Sequence, residues 1–236
     1  MNSGNDEKIR NNILAQLPAE DFARIVPGLK EITLMKGEMI YPVGGLINYV
    51  YFPTTALVSL FASSHNGQTI EVGMTGYEGC VGLPALWQAR QSPFQTQAQI
   101  AGHAWQVRAD LLIAEFERCG SLQKILLSYT HALCTQVAQS AMCNRFHTLE
   151  ERFCRWLLSS QDRQRTPTLE LTQELISSML GSNRSTVTTT AGGLQEAGLI
   201  RYKRGMITLL DRPGLEKLAC ECYAVVKREF VRVLQG

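Results

Sequence analysis

Little in this 236-residue sequence is extreme, and what is missing narrows the field. No run approaches the ~18 uninterrupted apolar residues of a membrane span. The most apolar stretch, Leu46–Ala62, is broken by Asn48, Pro53, Thr54, Thr55 and Ser59. The N-terminal MNSGNDEKIRNN mixes both charge signs and lacks the basic-then-apolar order of a signal peptide. Together these predict a soluble, cytoplasmic chain with no membrane partner. There is no excess of one charge either. The 23 Lys+Arg against 21 Asp+Glu leave +2, which excludes a polybasic protein holding phosphates by bulk charge. A local basic patch stays open. With 45% hydrophobic and 19% charged residues, the chain is too apolar to be mostly disordered.

Catalytic motifs are also lacking. There is no phosphate-binding glycine loop, no nucleophile elbow and no HExxH, so no enzyme is expected. Cysteine is present in an odd number, seven, which rules out full internal pairing. Cys80, Cys119, Cys134, Cys143, Cys154, Cys220 and Cys222 form no CxxC pair, and no His stands at zinc-finger spacing from any of them. Without a secretion signal, reduced and mostly buried thiols are the default. Cys220-Glu-Cys222 is the sole close pair. The expectation is therefore no metal site and no cofactor, with His65, His103 and His131 read as surface or core residues rather than haem ligands.

What is present changes character twice along the chain. Residues 1–30 read as short helices, Asp6–Leu17 and one after Pro18. Residues 31–108 read as β, with strands at Tyr49–Phe52, Ala56–Phe61, Ile70–Met74, Thr96–Ile100 and Ala104–Val107. Asn66-Gly67 between apolar runs marks a hairpin. Many short strands with glycine turns predict a sandwich, barrel or roll. Asp110 is a candidate cap for a short helix ending near Cys119-Gly120. Ser121 is a candidate cap for a long one, Ser121–Cys143, on which Leu122, Ile125, Leu126, Tyr129, Leu133 and Val137 trace one apolar stripe. Such a stripe serves either its own domain or a second copy of the helix. Residues 148–161 form a further helix, followed by a polar loop over 161–168.

Residues 171–210 carry the functional signal. Thr172 caps a helix buried through Leu175, Ile176, Met179 and Leu180, and Gly181 breaks it. Asn183 caps a second helix with Val187, Ala191 and Leu194 at helical spacing, ended by Ala197-Gly198. Two short helices about a glycine turn make a helix-turn-helix, whose second helix enters the DNA major groove. Its exposed start offers Asn183, Arg184, Ser185, Thr186, Thr188 and Thr189. Arg184 suits guanine or a phosphate, and the hydroxyls suit bases or phosphates. No acidic residue occurs from Leu175 to Gln195. The next hairpin, with Arg201, Lys203 and Arg204 at its tip, completes a winged helix lying along the phosphates. One conflict stands out: Val187–Thr190 is β-branched throughout and Gly192-Gly193 follows, so packing has to override propensity here.

The order of β domain, long helix and winged helix resembles the bacterial Crp/Fnr family from about residue 20 to about residue 225. Leu180-Gly181-Ser182-Asn183-Arg184-Ser185-Thr186-Val187 is similar to the family's L-G-x-x-R-x-T-V, and Leu194–Ile200 is similar to its L-x-x-x-G-L-I. The resemblance implies an α+β chain with three parts. Residues 1–120 would form a sensor domain with a cyclic-nucleotide-binding-like β-roll, 121–145 a dimerisation helix, and 146–236 a winged-helix domain. It implies a homodimeric transcription regulator on a pseudo-palindromic duplex, with RNA polymerase as a further partner. Ser185 and Thr189 stand where the family commonly has Glu and a second Arg, so the operator is expected to differ. Cyclic-AMP binders carry G-E-[LI]-G and then Arg-Ser. Here Gly79-Cys80-Val81-Gly82 replaces the first, and Arg90-Gln91 or Phe94-Gln95 the second. Cys80, Arg90 and Gln91 are the candidate effector contacts, and no response to cyclic AMP is expected. The competing reading is a redox or metal sensor using Cys80 with Cys220 and Cys222; a third is an effector-free scaffold.

Overall fold

The computed structural model describes residues 10–235. Residues 6–9, the start of the expected helix Asp6–Leu17, lie outside the described residues. In chain order the elements are α1 (Asn12–Ala15), α2 (Ala19–Ile25), β1 (Lys30–Leu34), β2 (Met39–Tyr41), β3 (Tyr49–Pro53), β4 (Leu57–Ser63), β5 (Thr69–Thr75), β6 (Gln95–Ile100) and β7 (Gly102–Arg108). Then follow α3 (Ala109–Phe116), α4 (Ser121–Phe146), α5 (Leu149–Gln164), β8 (Thr168–Glu170), α6 (Gln173–Leu180), α7 (Arg184–Glu196), β9 (Ile200–Lys203), β10 (Met206–Leu209), α8 (Arg212–Leu218) and α9 (Cys222–Gln235). This is the α+β fold expected: a β-roll, a long helix and a C-terminal helix-turn-helix with a wing.

The chain divides into two compact units. One holds the residues up to Leu60, Met74–Cys134 and those from Phe230 on; the other holds Phe61–Gly73 and Thr135–Glu229. The roll has two sheets, β1-β7-β3 and β2-β6-β4-β5; the first lies wholly in the first unit. Val50, Phe52, Leu57, Val58, Ala98, Ala104 and Val107 are buried. The first half of α4 lies on this core. Leu122, Leu126 and Tyr129 are buried, and the Tyr129 hydroxyl meets Thr75 Oγ1 at 2.9 Å. The Tyr129 ring packs so closely on Gly79 that a Cβ there would fall 2.2 Å from it. Each such side chain contributes about 1.5–3 kcal/mol by leaving water. These three residues of the apolar stripe are enclosed by their own domain.

In the second unit, Thr148 opens α5 with a capping box: its hydroxyl accepts from the Glu151 amide, and the Glu151 carboxylate accepts from the Thr148 amide at 2.7 Å. Those bonds from Thr148 hold the Glu151 carboxyl below its usual range. Phe153, Trp156, Leu157 and Leu158 form the centre, and the Trp156 indole N–H donates to buried Glu71 Oε1 at 2.9 Å. The wing sheet runs β8-β10-β9.

Local expectations fail in several places. The helix expected over Asp6–Leu17 starts only at Asn12, because extended Asn11 caps it, and Ser121, expected as the cap of α4, is its first residue. Helix α5 runs to Gln164 before Arg165 ends it in the left-handed region, so the expected loop over 161–168 is mostly helix. The QDRQ segment contains no helix breaker; Pro167 acts only after the end. Arg108, not Asp110, occupies the N-cap of α3; Asp110 instead pairs with Arg108 at 2.6 Å and accepts from the Leu111 amide. Strand β8 has no counterpart in the sequence reading. At three residues it is too short to show a period.

Candidate nucleic-acid interface

Helix α6 starts at Thr172, whose Oγ1 accepts from the Leu175 amide at 3.2 Å. It ends in a Schellman motif: the Ser182 amide bonds to the Ser177 carbonyl at 3.0 Å and the Gly181 amide to Ser178 at 3.4 Å. The Arg152 guanidinium donates to the Leu180 carbonyl and satisfies one more of the last carbonyls. Gly181 sits at φ +56°, and a Cβ there would meet Ile70 Cδ1 at 2.8 Å. Gly181→Ala is therefore expected to destabilise the fold by about 1–2 kcal/mol, read from the urea midpoint. An unchanged midpoint would show that the turn tolerates a side chain.

Asn183 then caps α7. Its Oδ1 accepts from the Thr186 amide at 2.8 Å and from the hydroxyls of Ser185 and Thr186, both at 2.7 Å. Thr188, Thr189 and Thr190 donate to the carbonyls of Arg184, Ser185 and Thr186. The threonines therefore meet the helix by back-bonding one turn earlier. Their hydroxyl protons are committed, which leaves oxygen lone pairs and methyl groups for an incoming surface. Val187, Ala191 and Leu194 are buried beneath, and a second Schellman pair at Gly198-Leu199 ends α7. Arg184 is exposed and is the single cation of α7.

The wing is fixed to α7. Gln195 Oε1 accepts from the Tyr202 amide at 2.7 Å, and the Tyr202 hydroxyl donates to the Leu171 carbonyl at 3.1 Å. Arg204 and Gly205, at φ +51° and +77°, make the two-residue hairpin turn. Arg201, Lys203 and Arg204 are exposed. Thr172, Arg184, Arg204 and Tyr202 face one open cleft of ≈ 510 Å³, into which Glu174 also projects. Serine and threonine positions 185, 188 and 189, with Arg201 and Lys203, are exposed outside that cleft.

The candidate effector residues part company. Cys80 lines a cavity of ≈ 50 Å³ with Tyr41, Ile47, Leu83, Trp87, Phe94 and Leu133, and no charged residue reaches it. Burial pushes the Cys80 thiol far up from its ordinary value, which makes it inert. Arg90 instead lines a different recess, with Arg108 and Asp110. Gln91 bridges to Leu46. On α4, Leu122, Leu126 and Tyr129 are fully enclosed by their own chain, and Ile125, Leu133 and Val137 are half-buried. The exposed line of that helix is another one, Leu127, His131, Cys134, Ala138 and Ala141.

One group escaped the sequence reading. Cys143, His147, Cys220 and Cys222 bring their donor atoms within 4.8 Å of one another. The available signal was Cys143-x3-His147, one helical turn apart, well upstream of a CxC pair. Cys80 is not among these clustered donors.

Residues 151–218 match the Crp-like helix-turn-helix domain. Among curated proteins, none matches the chain. Solved structures share the fold over most of the chain. FixK2 from Bradyrhizobium japonicum superposes with a TM-score of 0.70 at 19% identity, covering 81% of this chain and 98% of its own. TTHA1359, a transcriptional regulator of the CRP/FNR family from Thermus thermophilus, gives 0.62 at 21% identity, covering 80% and 98%. The c-di-GMP-responsive global regulator CLP of Xanthomonas campestris gives 0.65 at 14% identity, covering 82% and 100%. The chain therefore has the fold of the Crp/Fnr transcription regulators and carries their Crp-like helix-turn-helix domain.

Proposed function

We propose that this protein is a sequence-specific, homodimeric DNA-binding transcription regulator. The observation that carries the reading is Arg184. It stands exposed at the start of a capped second helix, facing the same cleft as Arg204 of the wing. In a helix-turn-helix those N-terminal residues reach base edges, while a wing tip follows the phosphates. Thr172, Asn183, Ser185, Thr186, Thr188 and Thr189 add short polar contacts, and Arg201, Lys203 and Arg204 supply the backbone charge. No helix among the described residues is long and apolar enough to cross a membrane. RNA polymerase is the natural neighbour of a regulator bound at a promoter.

The dimer seam is α4, on its exposed line. Leu127, His131, Cys134, Ala138 and Ala141 advance by alternating steps of four and three residues, the 3.5-residue repeat of a coiled-coil seam. Two of the five are alanines, which let helices approach closely. Selection of binding sites from random duplexes tests the reading. It is expected to return a pseudo-palindrome with half-sites about one helical turn apart, and enrichment of no sequence overturns it.

The roll does not take cyclic AMP. The ≈ 50 Å³ cavity beside Cys80, without a charged lining residue, offers neither the room nor the cation for a cyclic phosphate, and in the roomier recess at Arg90 the neighbouring Arg108 is already paired with Asp110. A ligand at a hundred times its dissociation constant stabilises its protein by about 2.7 kcal/mol. Millimolar cyclic AMP is expected to leave the melting temperature unchanged, and a clear rise sinks this part of the proposal.

A further inference from the structure

Four soft or borderline metal donors converge in the winged-helix unit, and no part of the DNA-binding reading uses them. Cys143 lies on the last turn of α4, and His147 follows directly after its end, with the His147 amide still bonded to the Cys143 carbonyl at 3.2 Å. The i, i+4 spacing puts both on one face. Cys220 precedes α9 and Cys222 is its first residue. The Sγ atoms of Cys143 and Cys220 are 3.4 Å apart, and Cys222 Sγ is 3.6 Å from His147 Nδ1. All four donor atoms lie within 4.8 Å of one another. The three thiols are buried and His147 is largely covered.

An ordinary apolar core does not account for this. The buried cluster consists of the three cysteines, with half-buried Met142 beside it, and a polar imidazole turns its Nδ1 toward them. His147 Nε2 is 3.2 Å from Glu221 Oε2. A proton on Nε2 would be donated to that carboxylate, which leaves Nδ1 bare to act as a ligand. This is how a carboxylate orients a metal-bound histidine.

We propose that Cys143, His147, Cys220 and Cys222 form a closed, mononuclear zinc site that joins the end of α4 to the start of α9. Three thiolates and one imidazole are a structural zinc donor set. Bonds of about 2.3 Å in a tetrahedron place sulfur ligands about 3.7 Å apart, close to the separations observed. A [4Fe–4S] cluster spreads its ligands over four irons and a [2Fe–2S] cluster over two, so either needs some of its donors further apart than the 4.8 Å that spans all four here. With all four positions filled by protein there is no open site for a substrate, so the role is structural. Three thiolates on a divalent ion carry one surplus negative charge, and the buried cation Arg155 stands beside Cys143 to offset it. A Cys143–Cys220 disulfide would leave the convergence of Cys222 and His147 unused.

The test uses the full chain purified under reducing conditions. Zinc analysis after denaturation is expected to give one equivalent per chain. Replacement by Co²⁺ is expected to give intense tetrahedral ligand-field bands and thiolate-to-cobalt charge transfer. Cys222→Ser and His147→Ala are expected to fall toward zero metal, while Cys119→Ser, at an exposed thiol, keeps the full equivalent. Where a ligand variant does not fold, the wild-type cobalt spectrum decides alone. The proposal is overturned by wild-type protein that takes up neither Zn²⁺ nor Co²⁺ at equimolar addition, or by a cobalt spectrum without thiolate ligation. Inorganic sulfide bound with iron, or a metal-free Cys143–Cys220 disulfide, overturns it equally. None of these readouts depends on DNA binding.

Discussion

Ala138→Asp is expected to convert the dimer to monomers and to lower operator affinity by about 10²–10⁴-fold. Ala138 is exposed and is the fourth of the five residues on the line Leu127–Ala141 of α4. Across a two-fold axis the same position returns from the other copy. Two carboxylates would face each other there with no cation of α4 on that line until Arg145. The monomer itself should be spared, because residue 138 touches solvent in the single chain. Light scattering reads the oligomeric state, circular dichroism the fold and a mobility shift the affinity. Loss of the dimer with an intact spectrum supports the seam; a persistent dimer moves it elsewhere. Leu126→Asp is the contrast. Leu126 is enclosed by its own roll, so its charge would be buried unpaired and the fold itself would fail.

The same contrast explains why the helix is legible in the sequence and the seam proposed for it is not. Hydrophobicity picks out Leu122, Leu126 and Tyr129 because they serve the larger, closer core, the roll of the same chain. The line left outside is short of large apolar side chains and carries His131 and Cys134, so nothing in composition singles it out. The caps of the helix-turn-helix were legible, because they depend on neighbouring residues alone: Thr172, Asn183 and Gly198 act where the sequence placed them, whereas Asp110 and Ser121 do not cap α3 and α4. The β-branched run Val187–Thr190 is helical because three apolar residues bury one face and the threonine hydroxyls find carbonyls within the helix. The four clustered donors were invisible as a set. Their two halves are more than seventy residues apart, and only the packing of α9 near the end of α4 unites them.

Arg184→Ala is expected to weaken specific binding by about 1–3 kcal/mol and to relax the preference at one base position of each half-site. The magnitude follows from the lack of substitutes. Arg184 is the single cation of α7, and the neighbouring hydroxyl protons are already committed to Asn183 or to helix carbonyls. Arg204, facing the same cleft, carries positive charge but sits on the wing, where the proposed role is to hold the backbone. Its alanine variant should therefore weaken all sequences alike and make the salt dependence shallower by about one unit per protomer. The pair distinguishes reader from anchor. Site selection with Arg184→Ala should return a logo degenerate at one position, while Arg204→Ala should return the parental logo at lower affinity. If Arg184→Ala keeps the parental logo, Arg184 holds phosphate. The bases would then be read by the threonine methyl groups and hydroxyl oxygens of α7, with discrimination resting on apolar contact to thymine.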